Sequence, residues 1–128
     1  MGNGTEIGRV RGLGSAHHGV GHWLLQRFTA VGNLVLVLFL AVSLALLPAY
    51  DFATVKEWAA RPLTAAALAL MVVNTFSHAR LGLQILMEDY VDAPGNRFAL
   101  RLLLNFAAVA GIMFGLFSIA RIAFSGAA

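Results

Sequence analysis

The chain has 128 residues, 59% of them hydrophobic and only 12% charged, with a net charge of +3 and no cysteine. Soluble domains average about 45–50% apolar and about 25% charged residues, so a soluble enzyme is excluded, and the few cations flank apolar runs instead of forming a nucleic-acid surface. Without cysteine the chain holds no disulfide, no cysteine-ligated iron–sulfur cluster and no thioether-attached haem.

Residues 1–27 form a glycine-rich N-terminal segment carrying Arg9, Arg11 and Arg27 together with His17, His18 and His22. It has no short apolar region ending at a small-residue cleavage site, so the first span is expected to persist as an anchor. His17 and His18 read as solvated. The first span covers 28–47, an uncharged run that matches the roughly 20 residues needed to cross a hydrocarbon core. Residues 48–62 make a loop with a short interfacial helix: Thr54-Val55-Lys56-Glu57 has the form of a capping box, and Trp58 suits the headgroup layer. Arg61-Pro62 resets the chain before the second span, 63–86, whose only charged or titratable residues are His78 and Arg80.

The second loop, 87–99, contains Asp92-Ala93-Pro94-Gly95-Asn96, where proline fixes one dihedral and glycine permits a positive one. A third span covers 100–121 and a tail 122–128. Gly111 and Gly115 in that span form a small-xxx-small face, read here as a contact for a second membrane subunit. The plainer reading has these residues packing within the chain. The expected fold is therefore an all-α integral membrane protein with three transmembrane helices. Arg9, Arg11, Arg27, Arg97 and Arg101 on one side outnumber Lys56, Arg61 and Arg121 on the other, which puts the N-terminus and second loop in the cytoplasm.

His78 lies well inside the second span, where a titratable group needs a partner and is a functional candidate by default. Its imidazole can ligate haem iron through one nitrogen while the other is fixed by a hydrogen bond, or it can simply donate to a neighbouring helix carbonyl. At about 100° per residue, Asn74, Gly82 and Ile85 fall within about 40° of its direction, and Gly82 leaves room for a flat macrocycle. Asp89 comes within about 20° and about 16 Å further along, provided the helix continues that far. Arg80 points about 200° away, and either snorkels to the interface or pairs with a carboxylate or propionate. Arg27, preceded by His22 and Trp23, reads as an interfacial anchor or as a contact for a propionate or quinone headgroup. Glu88-Asp89-Tyr90 sets two acids against the helix dipole. They either solvate the helix end or serve a quinone, with Tyr90 donating to a carbonyl oxygen and a carboxylate relaying protons.

HWLLQRFTAVGNL at 22–34, SHARLGLQILMEDYV at 77–91 and RFALRLLLN at 97–105 together resemble the succinate dehydrogenase hydrophobic membrane anchor subunits. These are the smaller, cytochrome-b-associated anchors of bacterial respiratory complex II. The pattern H-x-x-x-G-x-x-x-x-x-x-D-Y and the R-x-T-A start to the first span carry the resemblance, which covers essentially the whole chain. It implies that His78 is an axial ligand of haem b, with the opposite ligand on a cytochrome b556-type membrane subunit that completes the helical bundle. It also implies that Tyr90 and Asp89 belong to the ubiquinone site and that Arg27 lies near the propionates and quinone pocket, with His22 and Arg80 as less specific matches. The implied partners are that membrane subunit, an iron–sulfur subunit, a flavoprotein subunit and the lipid of a bacterial inner membrane, with no nucleic acid. The implied function is membrane anchoring in succinate:ubiquinone oxidoreductase. A fumarate reductase anchor using menaquinol and a non-redox structural membrane subunit are the alternatives.

Overall fold

The computed structural model describes residues 19–125, so Arg9, Arg11, His17 and His18 lie outside the described residues. Among the described residues four helices follow one another: α1 (Gly19–Ala45), α2 (Phe52–Ala60), α3 (Pro62–Tyr90) and α4 (Pro94–Phe124). α1, α3 and α4, with 27, 29 and 31 residues, are each long and apolar enough to cross a membrane. At a rise of about 1.5 Å per residue each exceeds the roughly 30 Å hydrocarbon core. The protein is all-α with three candidate spans. α3 continues through Glu88, Asp89 and Tyr90, so the acidic pair is helical and Asp89 keeps the direction of His78.

α3 is the central element. It runs antiparallel to α1 on one side and to α4 on the other, while α2 packs across α3 and α4 at the opposite end from Tyr90. Few side chains are buried: Thr29, Trp58, Ala59, Thr64, Ala67, Leu81 and Ala108. Most large apolar residues of α1 and α4, among them Phe28, Leu34, Phe106 and Phe114, face outward. In hydrocarbon such exposure costs nothing, because lipid tails are as apolar as leucine. What holds the helices together must then be close packing and hydrogen bonds.

The glycine face of α4 supplies the close packing, and it does so inside the chain. A Cβ at Gly111 would overlap the Phe76 ring of α3, and one at Gly115 would lie 2.7 Å from Val72 Cγ1. The small-xxx-small face is therefore occupied by α3 and does not present itself to a second subunit. Its two glycines lie one turn apart, so the ridge of Val72 and Phe76 can settle into the groove between them.

Two local expectations change. α2 is capped by Asp51, three residues before Thr54, whose backbone amide and hydroxyl donate to the Asp51 carboxylate at 3.1 and 2.7 Å. Aspartate competes well for this position because its carboxylate accepts helix-start amides. The Thr54 hydroxyl bond, followed by the Thr54 amide bond, holds the Asp51 carboxyl below the usual carboxylate range. Glu57 serves instead as partner to Arg61, 3.2 Å away and one turn on. Trp58 is buried, its indole donating to Ser43 Oγ at 3.2 Å, which ties α2 to the end of α1. In the second connection Pro94 opens α4 and Ala93 is its N-cap, so Val91, Asp92 and Ala93 make the link. No glycine among the described residues has a positive φ. Proline at the first helical position gives up only an amide that would be unpaired anyway, and Gly95 becomes an ordinary helical residue.

Candidate functional site

A line of polar side chains runs along the α1–α3 seam. Thr29 and Asn33 are one turn apart on α1, and Asn74 and His78 one turn apart on α3, so the two pairs face each other across antiparallel helices. Asn74 Nδ2 donates to Thr29 O at 2.6 Å and to Asn33 Oδ1 at 2.8 Å, and the Thr75 hydroxyl donates to Asn33 Oδ1 at 3.1 Å. Gly32 permits this approach, since a Cβ there would come within 3.0 Å of Asn74 Nδ2. Bonds of this kind within membranes average about 0.6 kcal/mol each, so the line orients the seam as much as it stabilises it.

His78 closes the line. Its Nδ1 lies 2.9 Å from Thr29 Oγ1, and Thr29 is 7% exposed. Among the described residues its one side-chain hydrogen bond runs through Nδ1, which leaves Nε2 unengaged. One ring nitrogen held by a neighbour and the other free is the arrangement an axial haem ligand requires. No group of three or more histidine, cysteine or acidic side chains capable of holding a metal occurs among the described residues, and the imidazole at the end of this polar line is that of His78. A Cβ at Gly82, one turn on, would meet only Gln26 Nε2 at 3.9 Å, which leaves open space beside the ring. These residues fit a haem approached from one side.

The end of α3 holds the second cluster. Glu88 is paired with Arg101 of α4 at 2.8 Å and accepts from Gln84 at 3.0 Å, while Arg97 Nε donates to Val91 O at 2.9 Å. Two arginines one turn apart on α4 thus brace the residues on either side of Asp89 and Tyr90. Asp89 makes no ion pair or side-chain hydrogen bond among the described residues. Tyr90 is 82% exposed and lines an apolar groove of about 640 Å³ between α3 and α4, with Leu83, Leu86, Leu100 and Leu103. It lies about 120° round the helix from His78, so the tyrosine and the histidine address different faces.

The remaining candidates are dispersed. The Arg27 guanidinium lies over the Trp23 ring, 5.4 Å from its centroid. His22 Nε2 is buried with no hydrogen-bond partner among the described residues. Arg80 turns to the other seam, where it donates to Asn105 Oδ1 of α4 at 3.0 Å, and is not brought to His78. Sequence reasoning missed Thr29, Asn33, Arg101 and Asn105. The signal for the first two was there: hydrogen-bonding residues spaced i, i+4 in an otherwise apolar span, matching the Asn74–His78 spacing.

Residues 1–114 match the family described as succinate dehydrogenase/fumarate reductase transmembrane subunit. Two relatives carry the name succinate dehydrogenase hydrophobic membrane anchor subunit. The one from Rickettsia bellii (strain RML369-C) is 33% identical over 88 residues, covering 69% of this chain and 70% of the relative. The one from Rickettsia conorii (strain ATCC VR-613 / Malish 7) is 32% identical over 89 residues, covering 69% and 71%.

Proposed function

The chain belongs to the succinate dehydrogenase/fumarate reductase transmembrane subunit family, and from that premise we propose that it is the hydrophobic anchor of a succinate:ubiquinone oxidoreductase in a bacterial inner membrane. Its partners are a flavoprotein subunit that oxidises succinate, an iron–sulfur subunit and a cytochrome b556-type membrane subunit. The end that carries Arg27, Asp89, Tyr90 and Arg97 faces the cytoplasm, in keeping with the excess of arginine there. The two Rickettsia relatives are named for succinate dehydrogenase, which favours the succinate-oxidising direction over fumarate reduction.

The observation that carries this reading is the seat of His78: Nδ1 is anchored on Thr29 and Nε2 is free. His78 Nε2 would be this chain's ligand to haem b, with a histidine of the second membrane subunit completing the site. Haem b, when bound, would supply a one-electron redox centre. At the end of α3 the Tyr90 hydroxyl donates to a quinone carbonyl. Asp89 takes protons from water and passes them towards the quinone oxygens as two electrons arrive. Glu88 cannot share that role while Arg101 and Gln84 hold it. Arg27, exposed on α1 two residues before Thr29, would serve as a cation for a propionate or quinone headgroup.

In the assembled complex, His78→Ala should remove the haem b absorption; unchanged haem content would show the ligand assignment to be wrong. Tyr90→Phe should lower quinone turnover roughly two- to tenfold, the loss of about 0.5–1.5 kcal/mol of hydrogen bonding. Succinate oxidation by a soluble dye should be spared. Equal losses in both assays would indicate faulty assembly instead of a quinone contact.

A further inference from the structure

We propose that Thr29 is a positioning residue for the haem ligand: its hydroxyl fixes His78 as the Nδ1–H tautomer and so leaves the lone pair on Nε2. The inference rests on the reading of His78 as the axial ligand, and goes beyond it by naming the group that decides which nitrogen ligates.

Three acceptors or potential acceptors surround Thr29 Oγ1. Leu25 O lies at 2.9 Å, Gln26 O at 3.0 Å and His78 Nδ1 at 2.9 Å. The hydroxyl has one proton to give. Carbonyl oxygens can only accept, whereas a neutral imidazole nitrogen either donates or accepts according to its tautomer. If the proton went to Nδ1, the oxygen would face two carbonyl oxygens at about 3 Å with nothing between them, an unrelieved repulsion in a low-dielectric seam. If the proton goes into the fork between the two carbonyls, as threonine commonly does in helices, an Oγ1 lone pair is left facing the ring. Nδ1 must then carry hydrogen and donate.

The position is enforced from both sides. Thr29 is 7% exposed, so water has little access to substitute for the hydroxyl. Its own carbonyl is held by Asn74 Nδ2 at 2.6 Å, one turn before His78 on the same helix. The threonine is therefore pinned by its backbone and its side chain to two successive turns of α3. A donor bond from Nδ1 also raises the basicity of Nε2, as outer partners of metal-bound histidines do.

The test uses the assembled four-subunit complex with Thr29→Val, which keeps the shape and removes the hydroxyl. Haem affinity should fall about 10-fold or more, the haem midpoint potential should rise because a less basic ligand favours ferric iron less, and the low-spin electron paramagnetic resonance signal should shift. Thr29→Ser should restore all three. Asn33→Ala, which weakens the same seam without touching His78, should leave the potential and the signal in place. If Thr29→Val does not assemble, Thr29→Ala removes the same hydroxyl without bulk and reads the same quantities. A hydroxyl-free variant with unchanged potential and signal overturns the proposal. Haem persisting unchanged in His78→Ala overturns the ligand reading beneath it, so the two failures are distinguishable.

Discussion

Between Val72 and His78 the two faces of α3 are held by different physics, although further along Arg80 and Glu88 also bond to α4. Towards α1 it presents Asn74, Thr75 and His78, each engaged with Thr29 or Asn33. Towards α4 it presents Val72 and Phe76, set against Gly115 and Gly111. Hydrogen bonds are directional, and a seam built from them specifies rotation and register. Close packing on glycines specifies distance. If His78 is the haem ligand proposed above, the helix that aims it benefits from the first on the histidine's own side and from the second behind it.

The largest effect should come from filling the packed face. Gly111→Ala puts a methyl into the Phe76 ring, and the displacement should cost about 1–3 kcal/mol, partly offset by the better helix propensity of alanine, about 1 kcal/mol. Gly111→Leu should block α3–α4 docking outright. Gly95→Ala is the control, because nothing lies within 4 Å of a Cβ there. Thermal stability of the detergent-solubilised complex, followed by size-exclusion chromatography, separates the two; equal behaviour would show that the glycine face is not tightly packed.

Breaking the hydrogen-bonded face should cost less. Asn74→Leu removes the bonds to Thr29 O and Asn33 Oδ1 and should destabilise by about 0.6–1.7 kcal/mol. Its signature is rotational looseness, which should appear as a broadened haem signal alongside a small loss of thermal stability. A large stability loss with a sharp signal would contradict the division of labour between the two faces.

How far the sequence reveals this depends on the kind of interaction. The three spans are legible because hydropathy integrates over about twenty residues and needs no partner. His78 is legible because an isolated titratable group in an apolar run is costly wherever it points. Gly111 and Gly115 are legible as a packing face, but their partner is not. Small residues say only that something comes close, and Phe76 and Val72 look like any other apolar residues until the helices are set side by side. Thr29 is half hidden for a related reason: its i, i+4 spacing with Asn33 marks a polar face, but a threonine in a span can satisfy itself on its own backbone, so the spacing does not name His78 as its partner. Proline and glycine at 94 and 95 read equally well as a turn and as a helix start, and Pro94 falls at the first position of α4.

Glu88 and Asp89 sharpen the comparison at the end of α3. Side by side in sequence, they differ in partner: Glu88 belongs to the α4 side through Arg101, while Asp89 keeps the direction of His78. Glu88→Gln should lower stability by about 0.2–1 kcal/mol, as expected for a half-exposed pair, and the loss should shrink as salt rises. Quinone turnover should change little. Asp89→Asn should do the reverse, sparing stability and slowing quinone turnover while dye reduction continues. Matching phenotypes would mean the two acids act as one group.

The smallest effect is predicted at the far end, where α2 meets the spans. The Asp51 carboxyl sits below its ordinary value of 3.8 because the Thr54 hydroxyl and then the Thr54 amide donate to it. A depressed pKa in the folded state means the cap contributes fully above the ordinary value and is lost as pH falls through the lower, folded value. Acid should therefore fray the first turn of α2, seen as faster amide exchange at Thr54 and Val55, with the Trp58–Ser43 contact holding the rest of the helix in place. Asp51→Asn keeps an accepting oxygen and cannot titrate, so it should flatten the dependence. The bonds that Asn74 makes to Asn33 and to the Thr29 carbonyl involve no titratable group, and exchange around Asn33 and Asn74 should not follow the same curve. If both regions loosened together in acid, α2 would be coupled to the α1–α3 seam, and the separation of the seam from its surroundings would fail.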